Sequence, residues 1–103
     1  MTKEVHINDI QPLLGDDSIL IDVRETDELL ETGFVPGAVH VPMSTLTVED
    51  NALTDNKDKT IYVMCRSGKR SLNVQTFLLE HDFDAVNVAG GIIEYEGDVN
   101  RLQ

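Results

Sequence analysis

Two nearly continuous runs of apolar, β-branched residues stand out along the chain. Ser18-Ile19-Leu20-Ile21-Asp22-Val23 and Thr60-Ile61-Tyr62-Val63-Met64 lack the in-out alternation of a half-exposed strand. That pattern predicts strands buried on both faces, and hence a parallel sheet. Shorter extended pieces are predicted at Val5-His6-Ile7, an edge strand, at Val39-His40-Val41, ended by Pro42, and at Val86-Asn87-Val88.

Between the strands the spacing turns helical. Asn8 is placed to cap a helix through Asp9, Ile10, Gln11, Leu13 and Leu14 that Gly15 ends, with Pro12 tolerated in its first turn. Thr26 is placed to cap a short helix from Asp27 to Glu31, with acids in its first turn and Gly33 as its stop. Ser71 is placed to cap a helix to about His81 whose Leu72, Val74, Gln75, Leu78 and Leu79 share a face. Pro36-Gly37 and Gly90-Gly91 predict turns, and Ile92 to Glu96 a last helical turn. Met43 to Asn56 is polar and carries only a weak helical signal. Strands alternating with helices predict a single α/β domain over residues 1–103, with a mainly parallel sheet and helices on both faces. Ligands are then expected beyond the carboxyl ends of the strands.

Composition narrows the function classes. The 103 residues fit one core, and an apolar share of 41% with a charged share of 26% suits a globular domain. The longest apolar run, Ile61 to Cys65, falls far short of the ~20 residues a membrane-spanning helix needs. The first residues, Met1 to His6, carry an early acid and no apolar core region, so no secretory signal is read and a cytoplasmic location is expected. A formal net charge of -11 sets the overall field against nucleic acid and anionic membranes as partners.

Positive charge is nevertheless concentrated in one place. Three of the eight Lys and Arg residues, Arg66, Lys69 and Arg70, follow directly on Cys65, the only cysteine. One cysteine cannot form an internal disulfide, so Cys65 is either a buried apolar filler or a working thiol. Thiolates are favoured beside cations and helix N-termini, and both lie next to Cys65 in the sequence. In the loop Cys65-Arg66-Ser67-Gly68-Lys69-Arg70, Gly68 permits a positive φ, so that successive backbone N–H groups can converge on an anion at the start of the next helix. Such a loop has no evident packing purpose. His6, His40 and His81 share no metal-ligand spacing, and no metal or other cofactor is expected.

The segment Cys65 to Ser71 resembles the active-site loop of the rhodanese family, in which a strand ends in the catalytic cysteine and a six-residue loop leads into a helix. Leu20-Ile21-Asp22-Val23-Arg24-Glu25 is similar to that family's early strand motif. Gly33 to Pro42 resembles its Gly-His-Ile-Pro-Gly-Ala segment, and Gly90-Gly91-Ile92-Ile93-Glu94-Tyr95 its closing Gly-Gly segment. The order is right and the matches span nearly the whole chain. Phe34 stands where the family usually has histidine, and Tyr95 where it usually has tryptophan; both are expected to be packing substitutions.

The resemblance implies a rhodanese-like three-layer fold and a sulfurtransferase. By it, Cys65 attacks the outer sulfur of a donor such as thiosulfate, holds a persulfide, and yields it to a thiol such as thioredoxin or glutathione, or to cyanide. Arg66, Ser67, Gly68, Lys69 and Arg70 are the implied donor-binding residues. Asp22 and Arg24, at the end of the neighbouring strand, and Ser71 are expected to support them. Two rivals stand beside this reading. A cysteine phosphatase or arsenate reductase needs arginine six positions after the cysteine, where this chain has Ser71. A persulfide carrier or redox sensor would use the same thiol without turnover.

Overall fold

The computed structural model describes residues 3–101. Five strands form one sheet: β1 (Glu4–His6), β2 (Ser18–Asp22), β3 (Ala38–His40), β4 (Thr60–Met64) and β5 (Asp84–Ala89). Their spatial order is β1-β5-β4-β2-β3, and every pairing is parallel. The two apolar runs are β4, at the centre, and its neighbour β2, as their two-sided burial requires. Four helices connect and flank the strands: α1 (Thr26–Thr32), α2 (Asn51–Thr54), α3 (Lys69–Glu80) and α4 (Gly91–Glu94).

Alternate strand residues feed two separate cores. Ile21, Ile61, Val63 and Ala85 face one side, where Val74 and Leu78 of α3 and Leu53 of α2 cover them. Leu20, Met64 and Val88 face the other, against Ile7, Ile10, Val35 and Ile92 of α4. Each large aliphatic side chain buried this fully contributes about 1.5–3 kcal/mol. The sheet is thus the middle layer of three. Among the described residues no helix is long and apolar enough to cross a membrane.

Several boundaries differ from the sequence expectation for physical reasons. The helix expected to follow Asn8 is two 3-10 turns, Ile7–Asp9 and Gln11–Leu13. Pro12 has no N–H to close an α-helical bond onto the Asn8 carbonyl. Asn8 does not cap with its side chain; its N–H is taken by His6 Nδ1 at 3.2 Å and its side-chain amide by the Glu94 carbonyl at 2.9 Å. The cap of α1 is Glu25 rather than Thr26, with the Glu28 carboxylate accepting the Glu25 N–H at 3.0 Å. Strand β3 lies one residue earlier than expected, because Ala38, Val39 and His40 pair with Leu20, Ile21 and Asp22. Strand β5 runs longer at both ends, Asp84 being held by the Thr60 hydroxyl at 3.0 Å. In the weakly patterned stretch, the Asp50 carboxylate accepts the Thr47 N–H at 2.8 Å and leads into α2, whose Leu53 is fully buried.

Candidate active site

Because all five strands run the same way, their carboxyl ends share one edge. The register sets Asp22 opposite both Met64 and His40, so the segments after β2, β3 and β4 emerge side by side. Cys65 is the first residue beyond β4 and is 1% exposed. Its sulfur lies at the base of a tight loop. The Gly68 N–H donates to Sγ at 3.1 Å, and the Ser71 hydroxyl lies 3.5 Å away.

Gly68 makes this approach possible. It has φ of +107°, a conformation side chains resist, and it is the N-cap of α3. Ser71, expected as that cap, instead occupies the first turn of α3, fully buried beneath the thiol. Helix α3 therefore starts at Lys69 and presents its unbonded N-terminal N–H groups to the loop. The opposite side of the loop is gripped by α4. The N–H groups of Ile92 and Ile93 donate to the carbonyls of Cys65 at 3.1 Å and Arg66 at 3.2 Å. With its carbonyls turned toward α4, the loop turns its N–H groups toward the sulfur.

Electrostatics follow from this geometry. Burial pushes the Cys65 thiol up, but the Ser71 hydroxyl and the N–H groups of Ser71, Gly68 and Ser67 outweigh it, and the net shift is downward. The thiolate is therefore the favoured form at lower pH than for a free cysteine. Ser71→Ala removes a donor to the anion and leaves the burial cost in place, so the pH profile of Cys65 alkylation is expected to move to higher pH. Its rate at neutral pH should fall about tenfold or more, since one hydrogen bond to a charged group is worth about 1.5–3 kcal/mol. Iodoacetamide kinetics across pH test this, and an unmoved profile would rule out the role of Ser71.

The three cations after the thiol are not equivalent. Arg66 and Lys69 are exposed and, among the described residues, belong to no ion pair. Arg70 makes a two-pronged pair with Glu28 of α1, Nη1 and Nη2 each 2.7 Å from a carboxylate oxygen. That contact, against some opposing burial, holds the Glu28 carboxyl down at about 2. The pairing raises Arg70 above the ordinary arginine value, with the Cys65 and Asp22 charges adding to it.

Asp22 and Arg24 form a second, fully buried pair behind the loop. Arg24 Nη2 reaches Asp22 Oδ2 at 2.8 Å and the Gly33 carbonyl at 3.0 Å, while Nη1 reaches Thr32 Oγ1 at 2.7 Å. Arg24 is 1% exposed, and His40 Nε2 lies 2.6 Å from its carbonyl oxygen. Asp22 and Arg24 thus tie β2 to the end of α1 and, among the described residues, make no hydrogen bond to the thiol. A cavity of about 120 Å³ opens beside the loop, lined by Arg24, Glu28, Glu31, Arg66, Ile92 and Ile93. A second, apolar cavity of about 220 Å³, lined by Met43, Leu46, Val74 and Phe77, contains no loop residue.

The structure brings Cys65, Ser67, Gly68 and Ser71 together around one sulfur. Two contributors were not singled out from the sequence. Glu28 lies 42 positions from its Arg70 partner, and only its spacing from Glu25, a capping signal, marked it locally. Gly91 read as half of a turn, whereas it begins α4 against the back of the loop.

Known proteins share this architecture. Residues 7–98 match the sequence profile of the Rhodanese-like domain. The YtwF protein of Bacillus subtilis (strain 168) is 46% identical over 79 residues, covering 77% of this chain and 74% of that protein. A protein of Allochromatium vinosum named sulfurtransferase is 31% identical over 98 residues, covering 92% of this chain and 89% of its own. Among solved structures, a rhodanese-like domain protein from Staphylococcus aureus superposes with a TM-score of 0.81 at 30% identity, covering 99% of this chain and 100% of that one.

Proposed function

This chain belongs to the rhodanese-like family of sulfurtransferases, and from that premise we propose that it moves sulfane sulfur through a persulfide on Cys65, from a small anionic donor such as thiosulfate to a thiol or cyanide. The observation that carries the reading is the sulfur of Cys65 held by the Gly68 N–H at 3.1 Å, with Ser71 at 3.5 Å, at the N-terminus of α3. These donors face the atom that bears negative charge before attack, and they are fixed before the donor arrives.

In the first half-reaction the Cys65 thiolate attacks the outer sulfur of thiosulfate. The donor's S–S bond breaks, sulfite leaves with the electron pair, and Cys65 keeps a terminal anionic sulfur. Arg66 and Lys69, which belong to no ion pair among the described residues, attract the donor. The N–H groups of Ser67, Gly68 and Lys69 take the charge of the terminal sulfur. In the second half-reaction an acceptor thiol such as that of thioredoxin or glutathione, or cyanide, attacks the terminal sulfur and restores the thiolate. Arg70 acts on this charge from its place beside Glu28, and Asp22 and Arg24 hold the strand end on which the loop rests.

Intact mass before and after mixing with thiosulfate tests the reading. A gain of about 32 Da is expected, the mass of one sulfur on a nucleophilic thiolate. It should be absent in Cys65→Ser and should disappear on adding cyanide or dithiothreitol. No adduct, in a protein whose thiol still alkylates readily, would refute thiosulfate as donor and favour the sensor role. Adduct transfer in a single stoichiometric round to one protein, without turnover on small thiols, would favour a carrier.

A further inference from the structure

A carboxylate stands where an anion-binding loop has no evident need of one. Glu28 meets Arg70 through both oxygens at 2.7 Å, while its Oε1 also accepts the Glu25 N–H at 3.0 Å. Glu28 is thereby fixed to the cap of α1, and Arg70 is fixed to Glu28. The buried Asp22 likewise cancels Arg24. Of the four cations around the loop, only Arg66 and Lys69 lie outside an ion pair among the described residues. Against their two charges stand the Cys65 thiolate and Glu31, which lines one cavity with Arg66, Arg24 and Glu28. The cradle is close to neutral, within a chain whose formal net charge is -11.

Donor charge matters in such a site. Attack on thiosulfate gathers three negative charges at the loop, one from the thiolate and two from the donor. Attack on the terminal sulfur of a protonated organic hydropersulfide, RSSH, gathers one. There the donor's S–S bond breaks, RS⁻ leaves with the electron pair, and Cys65 becomes Cys65–S–SH, so the charge is conserved at minus one.

We propose that Glu28 is a positioning residue that sets donor selectivity: by holding Arg70 it keeps the cradle from favouring a dianion, and tunes the site to organic hydropersulfides over thiosulfate. This rests on the sulfurtransferase reading above. Glu28 acts through Arg70 and touches no reacting atom.

The test compares the second-order rates of Cys65 persulfidation by thiosulfate and by cysteine hydropersulfide, followed by intact mass, in wild-type, Glu28→Gln and Arg70→Gln proteins. Glutamine at 28 keeps an acceptor for the Glu25 N–H. Glu28→Gln should raise the thiosulfate-to-hydropersulfide rate ratio about fivefold, and Arg70→Gln should lower it by a similar factor, as expected for one unit charge near a dianion in a partly solvated site. Both shifts should vanish near 1 M salt, where the screening length is about 3 Å. Damage to the fold would slow both donors together and would not respond to salt. An unchanged ratio, or a shift in the same direction in both variants, overturns the role of Glu28 alone. No Cys65 adduct from either donor in the wild-type protein overturns the sulfurtransferase reading, and the proposal with it.

Discussion

Replacing Gly91 by alanine will slow persulfidation of Cys65 by about 100-fold or more, the scale expected when a reacting group is displaced by roughly 1 Å. A β-carbon at position 91 would lie 2.6 Å from the Cys65 carbonyl oxygen and closer still to the Arg66 carbonyl. Both obstacles are backbone, and neither can rotate away. The same two carbonyls are the acceptors for Ile92 and Ile93, so relieving the clash also breaks the bonds that aim the loop. Gly91 further has φ of +58°, which adds about 1–2 kcal/mol of strain for alanine. Rapid-mixing kinetics with intact-mass detection measure the loss below the melting temperature, which should itself fall by about 5–10 °C or more from the strain and the two broken bonds. A variant that forms the persulfide at the wild-type rate would show that α4 does not position the loop.

Arg24→Met is expected to be the most damaging change to stability away from the thiol, costing about 3–5 kcal/mol in denaturant unfolding. The methionine fills much of the volume, but Asp22 remains buried at 0% exposure with its main counter-charge removed. The Gly33 carbonyl and the Thr32 hydroxyl lose a donor as well. Adding Asp22→Leu to Arg24→Met removes the stranded charge and should recover a large part of the loss. A single-variant cost below about 1 kcal/mol would mean the pair is not a structural support, since exposed pairs are worth no more than that.

The parts of this molecule legible in the sequence were those governed by local rules. Ile61 to Met64 and Ile19 to Ile21 read as central strands because burial on both faces leaves no polar alternation, and they are β4 and β2. The strand-loop-helix around Cys65 was readable because Gly68 and the cations sit within five residues of the thiol. What failed to show was set at a distance. Thr26 was expected as the cap of α1, but the cap is Glu25, which also meets Ser44, whose hydroxyl donates to its carboxylate at 2.6 Å from 19 residues away. Arg70 looked like an unpaired cation because Glu28 lies on another helix. Ser71 carried a cap signature, yet the helix begins two residues earlier, and its hydroxyl turns inward to the sulfur.

The depth of Cys65 also acts as a ruler. At 1% exposure the thiol lies below the surface, so two copies of the chain cannot bring their α-carbons within the roughly 4.4–6.8 Å that a disulfide requires. The reduced protein is thereby protected from dimerising through its own nucleophile. A persulfide is longer by one S–S bond, about 2.05 Å. In the proposed transfer that added atom is the one an acceptor meets, which makes the loaded form the more approachable of the two. Burial of this depth shields the resting thiol from other proteins, so under the proposed sulfur transfer it is the loaded form that a protein acceptor meets.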